Sequence, residues 1–304
     1  MMQFLSSFQK SDKLNFILPI SVFGENGWAA FLFLPFFHRK GLDFRAIFRI
    51  LRPIQEYTMN ILVCISSVPD TTSKIGFTDD NTRLDANGIT WIIGPYDDYA
   101  LARAVELKEV SGSGSITVLH VGGPESEPVI RKALAIGADE AVRIDAPASD
   151  GFFVAAQITA YAKDKNFDLI LMGRESIDYN SGLVHGLVAE QLGIPSISPV
   201  MRLEINGLEA TMDREIEGGK ETVSAALPLV LGCQEPIAEW KIPSMRGIMS
   251  ARTKPLHILP AVEFSSGLAF QKYELPAPRT SCRMLADSEV KQLVELLKTE
   301  AKVI

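Results

Sequence analysis

From Met59 onward, short apolar runs alternate with amphipathic stretches, and this alternation constrains the fold more than any other feature. "NILVCISSV" (60–68) has strand length. In "DDYALARAVELKEV" (97–110), Leu101, Ala104, Val105 and Lys108 fall at i, i+3, i+4 and i+7. That spacing predicts a helix with one apolar face and a lysine stem along its edge. "SITVLHVGG" (115–123), "EAVRID" (140–145) and "FDLILMG" (167–173) read as further strands. "ESEPVIRKALAIGA" (125–138), "GFFVAAQITAYAKDKN" (151–166) and "SGLVHGLVAEQLG" (181–193) read as helices. Gly137 is expected as a left-handed cap, and Gly193 with Pro195 as the stop of the last helix.

Strands that alternate with helices pair in parallel, because each crossover needs a dozen or more residues. The helices then cover both sheet faces, and the strands become continuous apolar runs. The expected fold is α/β: a doubly wound, mainly parallel, Rossmann-like sheet. Ligands of such sheets sit beyond the carboxyl ends of the strands. The segments there are "SSVPDTTSK", "GGPESE" and "GRESIDYNSG" (173–182), all rich in Gly, Ser, Thr or Asp. Backbone N–H groups in glycine turns and at helix N-termini suit a phosphate. Ser176, Asn180, Ser181 and Gly182 supply such groups. A merely solvated loop is the competing reading for any one of these segments alone.

After Pro195 the runs shorten and turn at Asn206-Gly207 and Gly218-Gly219, residues that tolerate the positive φ of tight hairpins. An antiparallel extension of the sheet is expected. "EWKIPSMRGIMSARTKPLHILP" (239–260) is irregular and locally basic. "SSGLAFQKYELPAPRT" (265–280) reads as an extended arm, and "DSEVKQLVELLKTE" (287–300) as a last helix capped by Asp287. Its apolar stripe, Val290, Leu293, Val294 and Leu297, needs a surface on its own domain or on a partner.

Three regions follow. Residues 1–58 form an N-terminal extension, residues 59–250 a nucleotide-binding α/β domain, and residues 251–304 an arm and helix. Within the first, "WAAFLFLPFF" is about half a membrane span and contains Pro35. A signal peptide fits poorly, because no basic segment precedes it and no small-residue cleavage site follows. The expectation is a start-site artefact or a disordered stretch before Met59, with no stable membrane insertion. A basic surface helix near 42–52 is the alternative.

Net charge of -7 argues against a nucleic-acid binder, which needs a basic face. The three cysteines (Cys64, Cys233, Cys282) and the four histidines lie far apart, without metal-ligand spacing. A reducing cytoplasm is the expected compartment. No GxxxxGK[ST] or GxSxG motif occurs. Asp70, Glu175, Asp178 and Glu217 form no acid–base pair by spacing. The residues describe a nucleotide-holding α/β protein without a visible catalyst.

"MNILVCISSVPDT" from Met59, "IRKALAIGADEA" (130–141), "GRESIDYNSG" (173–182), "REIEGGKET" (214–222) and "MRGIMSARTKPL" (245–256) resemble, in that order, the beta (small) subunit of electron transfer flavoprotein. The resemblance implies a heterodimer with an alpha subunit that carries most of an FAD site. It implies electrons taken from flavin dehydrogenases, such as the acyl-CoA dehydrogenases of fatty acid β-oxidation, and passed to a quinone oxidoreductase. It implies a carrier subunit, not an enzyme, with a structural AMP beyond the strand ends. By position the AMP contacts are Cys64, Gly94, Pro95, Tyr96, Asp97, Gly122, Gly173, Arg174, Glu175, Ser176, Ile177, Asp178, Asn180, Ser181 and Gly182. Thr71 and Tyr96 fall beside the flavin of the alpha-bound FAD, although many members have an aromatic residue at the position of Thr71. The docking loop for partner dehydrogenases corresponds to 241–252. Met245 stands for the apolar anchor beside Ile248 and Met249, and Arg246 and Arg252 steer acidic partners. Two departures stand out: "LVHG" (183–186) where many members have a Thr-Gly or Val-Gly pair, and "SARTK" where others are lysine-rich. Two other readings remain open: a second FAD in place of AMP, as in electron bifurcation, and a nucleotide-hydrolysing or nucleotide-sensing protein of the same fold.

Overall fold

The computed structural model describes strands at residues 20–23 and 29–32, and residues 58–265, 267–278 and 282–304. In the unit Met1–Glu56, β1 (Ile20–Phe23) and β2 (Ala29–Leu32) pair antiparallel, with Ile20 opposite Leu32. The remaining expectations for residues 1–58 fall almost wholly outside the described residues.

The unit Tyr57–Ile304 is built on β3 (Asn60–Cys64). Its side chains alternate between faces, as the pleat of a strand requires. Ile61 and Val63 join one buried cluster, Leu62 and Cys64 the other. A strand apolar on both faces belongs in the middle of a covered sheet, and β3 is there. A short excursion follows, with β4 (Ser67–Pro69), β5 (Phe77–Thr78), β6 (Arg83–Leu84) and β7 (Trp91–Ile93). In it β4 pairs with β7 and β5 with β6.

The alternation then runs as read from the sequence. In order come α1 (Pro95–Ser111), β8 (Ser115–Val121), α2 (Glu127–Ile136), β9 (Glu140–Asp145), α3 (Gly151–Ala162), β10 (Leu169–Gly173) and α4 (Val184–Leu192). The antiparallel extension follows as β11 (Ser196–Asn206), β12 (Glu209–Ile216) and β13 (Gly219–Ala226). Then come β14 (Leu229–Cys233), α5 (Met245–Ala251), β15 (Leu256–Pro260) and α6 (Val290–Leu296). The nine-stranded sheet has the order β13-β12-β11-β14-β10-β3-β8-β9-β15. The pairs β11·β12 and β12·β13 are antiparallel and the others parallel. Helices α1 and α2 cover the face of Ile61 and Val63, where Leu101, Ile130 and Leu134 are fully buried. Helices α3 and α4 cover the other, through Ile158 and Val188.

Several local expectations are corrected. Gly137 ends α2 at φ 162, which is extended backbone rather than a left-handed cap. It is needed there for space, because a Cβ would lie 2.6 Å from Val105 Cγ2. Helix α4 starts at Val184, later than 181, because Asn180 and Gly182 take left-handed φ values of 50° and 59°. The terminal helix is entered through Glu289, whose carboxylate accepts from Ala286 N–H at 2.9 Å, and Asp287 is not its cap. Residues 256–260, read as part of the arm, form β15 and pair in parallel with β9. The arm that leaves the sheet therefore begins at Ala261.

Two cations seat α5 on α2. Lys254 Nζ donates to the carbonyls of Leu134, at 2.9 Å, and Ala138, at 2.5 Å. These groups lie at the C-terminal end of α2, where a positive charge is favourable. Arg131 donates to the carbonyls of Ala251 and Lys254, both at 2.9 Å. Lys254→Met is expected to destabilise the fold by about 1–2 kcal/mol. Urea unfolding checks this, and an unchanged midpoint would show the seat to be idle.

Candidate nucleotide and partner site

The strand ends meet at Asp97. Pro95 starts α1 at a position that needs no N–H donor, and Asp97 lies on the first turn, buried. Its Oδ2 accepts from Ser66 N–H at 2.8 Å and from the Ser66 hydroxyl at 2.5 Å. Its Oδ1 accepts from Gly173 N–H at 2.7 Å. One carboxylate thus joins the helix start, the chain just past β3 and the end of β10. Gly94 N–H adds a bond to the Ser66 carbonyl at 3.1 Å. Burial is the main influence on the Asp97 carboxyl and outweighs its donors, raising it to about 6.

The glycines here are set by close approach. A Cβ on Gly94 would lie 2.5 Å from Asp97 Oδ2 and Ser66 Oγ. On Gly173 it would lie 2.7 Å from Asp97 Oδ1 and from Tyr96 Cβ, and on Gly122 2.3 Å from His120 Nε2. Burial keeps His120 neutral, and its Nδ1 sits 2.9 Å from the Ile65 carbonyl. Because that carbonyl only accepts, Nδ1 carries the proton and Nε2 is an acceptor facing Gly122. Buried Arg143 donates to the Gly122 carbonyl at 2.8 Å and to Asp145 at 2.6 Å. Cys64 lies beneath as a buried thiol, with burial pushing its pKa up.

The 173–182 loop forms the far wall. Arg174 places its guanidinium 5.2 Å from the Tyr96 ring centroid and donates to Gln234 at 2.7 Å and to Glu175 at 3.2 Å. Gln234 in turn donates to Glu215 at 2.7 Å. Asp178 Oδ1 is occupied within the loop, by the Ser176 hydroxyl and by Tyr179 N–H at 3.0 Å. Asn180 N–H donates to Ser176 O at 2.7 Å. The left-handed residues Asn180 and Gly182 flank Ser181 just before α4, an alternation of backbone form that suits an anion.

The structure therefore brings together Cys64, Gly94, Pro95, Tyr96, Asp97, Gly122, Gly173, Arg174 and Glu175. Ser176, Ile177, Asp178, Asn180, Ser181 and Gly182 continue the same wall. Asp97 is not a free contact, since donors of this chain fill both its oxygens. Thr71 is exposed in the turn after β4, where Asp70 accepts from Thr72 N–H and O–H. Two cavities, of about 370 and 350 Å³, lie elsewhere. One is lined by Arg103, Leu203 and Asp213, the other by Tyr99, Glu235 and Trp240, and neither includes a residue expected at the nucleotide site. The close glycine approaches of Gly94, Gly122 and Gly173 lie at the strand ends.

A second surface lies on α5. Ser244 caps it by accepting from Gly247 N–H at 3.1 Å. Gly247 allows close contact with α2, since a Cβ would lie 2.3 Å from the Ala135 carbonyl. Met245 is 76 % exposed and Met249 68 %, with Ile248, Arg246 and Arg252 also exposed. Among the described residues no helix is long and apolar enough to cross a membrane, and no His, Cys, Asp and Glu cluster could hold a metal. Sequence reasoning missed Ser66, His120, Arg143 and Gln234. Apart from the Arg143–Asp145 pair, their partners are backbone groups or distant side chains that leave no local signal.

This geometry agrees with what the chain is similar to. Residues 82–263 match the family model "Electron transfer flavoprotein domain". The electron transfer flavoprotein subunit beta of Bacillus subtilis (strain 168) is 38% identical over 81% of this chain and 100% of its own length. That of Syntrophomonas wolfei is 33% identical over 81% of this chain and 98% of its own. The caffeyl-CoA reductase-Etf complex subunit CarD of Acetobacterium woodii is 31% identical over 66% of this chain and 78% of its own. A glycine-lined strand-end site on a doubly wound sheet, joined to this similarity across most of the chain, makes it a member of the electron transfer flavoprotein beta-subunit family.

Proposed function

We propose that this chain pairs with an alpha subunit carrying most of an FAD, and that it holds one AMP structurally beyond the ends of β3, β8 and β10. The bare backbone at three neighbouring strand ends carries this reading: Gly94 and Gly173 close on Asp97, and Gly122 closes on His120. The N–H groups of Ser181 and Gly182 suit its phosphate. The second Asp178 oxygen, without a partner among the described residues, suits a ribose hydroxyl. FAD, when bound, supplies the electron carrier. The part of this chain is to present the Tyr96 ring, backed by Arg174, and Thr71 toward it. Met245, Ile248 and Met249 form an adaptable apolar anchor for flavin dehydrogenases such as acyl-CoA dehydrogenases, and Arg246 and Arg252 steer acidic partners. Electrons then leave to a quinone oxidoreductase. The exposed apolar residues of α6, Val290, Leu293 and Val294, fit packing on the alpha subunit. The free, buried Cys64 and Cys233 agree with a cytoplasmic location.

Coexpression with the alpha subunit, acid extraction and ligand counting test this. One FAD and one AMP per heterodimer is the expected result. Two FAD and no AMP would replace it with the electron-bifurcating reading. ATP turnover by the lone chain would overturn both.

A further inference from the structure

The arm after β15 is pinned at two places. At its start Val262 N–H donates to Gln157 Oε1 at 2.8 Å, and Gln157 Nε2 donates back to Val262 O at 2.9 Å. Gln157 is buried on α3. Further along, Tyr273 N–H donates to the Asn81 carbonyl in the β5–β6 turn at 2.7 Å. Between these points Phe270 stacks on Tyr179, with ring centroids 5.1 Å apart, and on Tyr273, at 5.8 Å. Tyr273 stacks in turn on Phe77 at 5.0 Å. The hydroxyls of Tyr179 and Tyr273 are 3.2 Å apart. One continuous stack, Tyr179–Phe270–Tyr273–Phe77, thus joins the 173–182 loop, the arm and the β5–β6 hairpin.

Tyr179 lies between Asp178 and Asn180, so the loop cannot swing away without breaking this stack. Tyr179 and Phe270 are each 52 % exposed, so the stack is a surface fastening and no part of the core. Partial burial and the Tyr273 hydroxyl push the Tyr179 phenol up, keeping it neutral at ordinary pH. Offset ring pairs of this spacing are attractive beyond their buried area. We propose that the four rings form a clasp that fastens the 173–182 loop in its ligand-holding form and sets the rate at which the nucleotide exchanges. This rests on the reading that the loop holds AMP.

The test uses the heterodimer with its alpha subunit, isolated with its nucleotide and chased with excess isotope-labelled AMP. Phe270→Ala is expected to speed exchange about tenfold, while the FAD content stays that of the wild type. Phe270→Tyr, which keeps the ring, is expected to exchange at the wild-type rate. Equal rates for wild type and Phe270→Ala overturn the clasp but leave the nucleotide site standing. A wild-type heterodimer without AMP overturns the nucleotide reading and the clasp together. Tyr273→Ala provides a second break in the stack, so a folding defect in one variant does not decide the outcome.

Discussion

Asp97→Asn is expected to destabilise the subunit by about 3 kcal/mol, because a buried carboxylate that serves three donors is replaced by a group with one acceptor oxygen. The asparagine oxygen can serve Gly173 N–H, but its amide nitrogen then opposes Ser66 N–H, donor against donor. For a domain of this size the loss corresponds to a melting temperature lower by roughly 6–12 °C. The effect depends on pH in a way that separates it from simple loss of packing. Burial raises the Asp97 carboxyl from 3.8 to about 6 in the folded state. The folded state therefore binds this proton more tightly than the unfolded state. The associated stability is fully present below 3.8 and is lost as pH rises through about 6. The advantage of wild type over Asp97→Asn should be larger at pH 4.5 than at pH 7.5. Urea midpoints of both proteins at the two pH values measure it. A gap that widens with pH would mean that the donors, not burial, govern this carboxyl.

The second large effect concerns the partner surface. Met245→Ala is expected to raise the KM for a partner acyl-CoA dehydrogenase by about thirtyfold, the size of an interface hot spot. The turnover rate at saturation is expected to hold, because on the proposed reading the anchor only docks the partner and contributes uniform binding. The melting temperature is expected to move by no more than about 1 °C, since an exposed side chain is removed. Steady-state rates against flavoprotein concentration give both parameters. An unchanged KM would remove α5 from the docking surface. On the proposed reading, the seat of α5 is what lets a single methionine matter so much. Gly247, Arg131 and Lys254 hold the helix against α2, so Met245 is presented from a rigid support and binding orders little extra chain.

Much of this fold is legible from residue pattern, and the exceptions have physical reasons. Strands β3 and β10 are continuous apolar runs because both their faces are covered. Strand β15 escaped notice because it is an edge. Its Ile258 and Leu259 are exposed, and Pro260 ends it, so it reads like arm. The β4–β7 excursion has strands too short to show a period. At the site, the glycine-rich strand ends were readable as a crevice. The role of Asp97 was not, because its partners lie 31 and 76 residues away and two of its three donors are backbone N–H groups. The aromatic clasp was equally hidden, being four rings scattered from Phe77 to Tyr273.

The place of β3 has a consequence for how the molecule is made. The first strand of the sheet is synthesised early yet lies near its middle. Its Ile61 pairs with Ile116 on one side and with Leu169 on the other. Its growing chain must therefore wait for two distant segments before either edge is satisfied. Strand β14 arrives later still and fills the gap between β10 and β11. Contacts of such long sequence separation fold slowly and leave apolar edges open meanwhile. A chain interrupted before Leu229 keeps Leu171 and Ile197 without the neighbour Leu231 that covers them both. Aggregation of nascent or truncated chains should accordingly fall sharply once residue 233 has emerged.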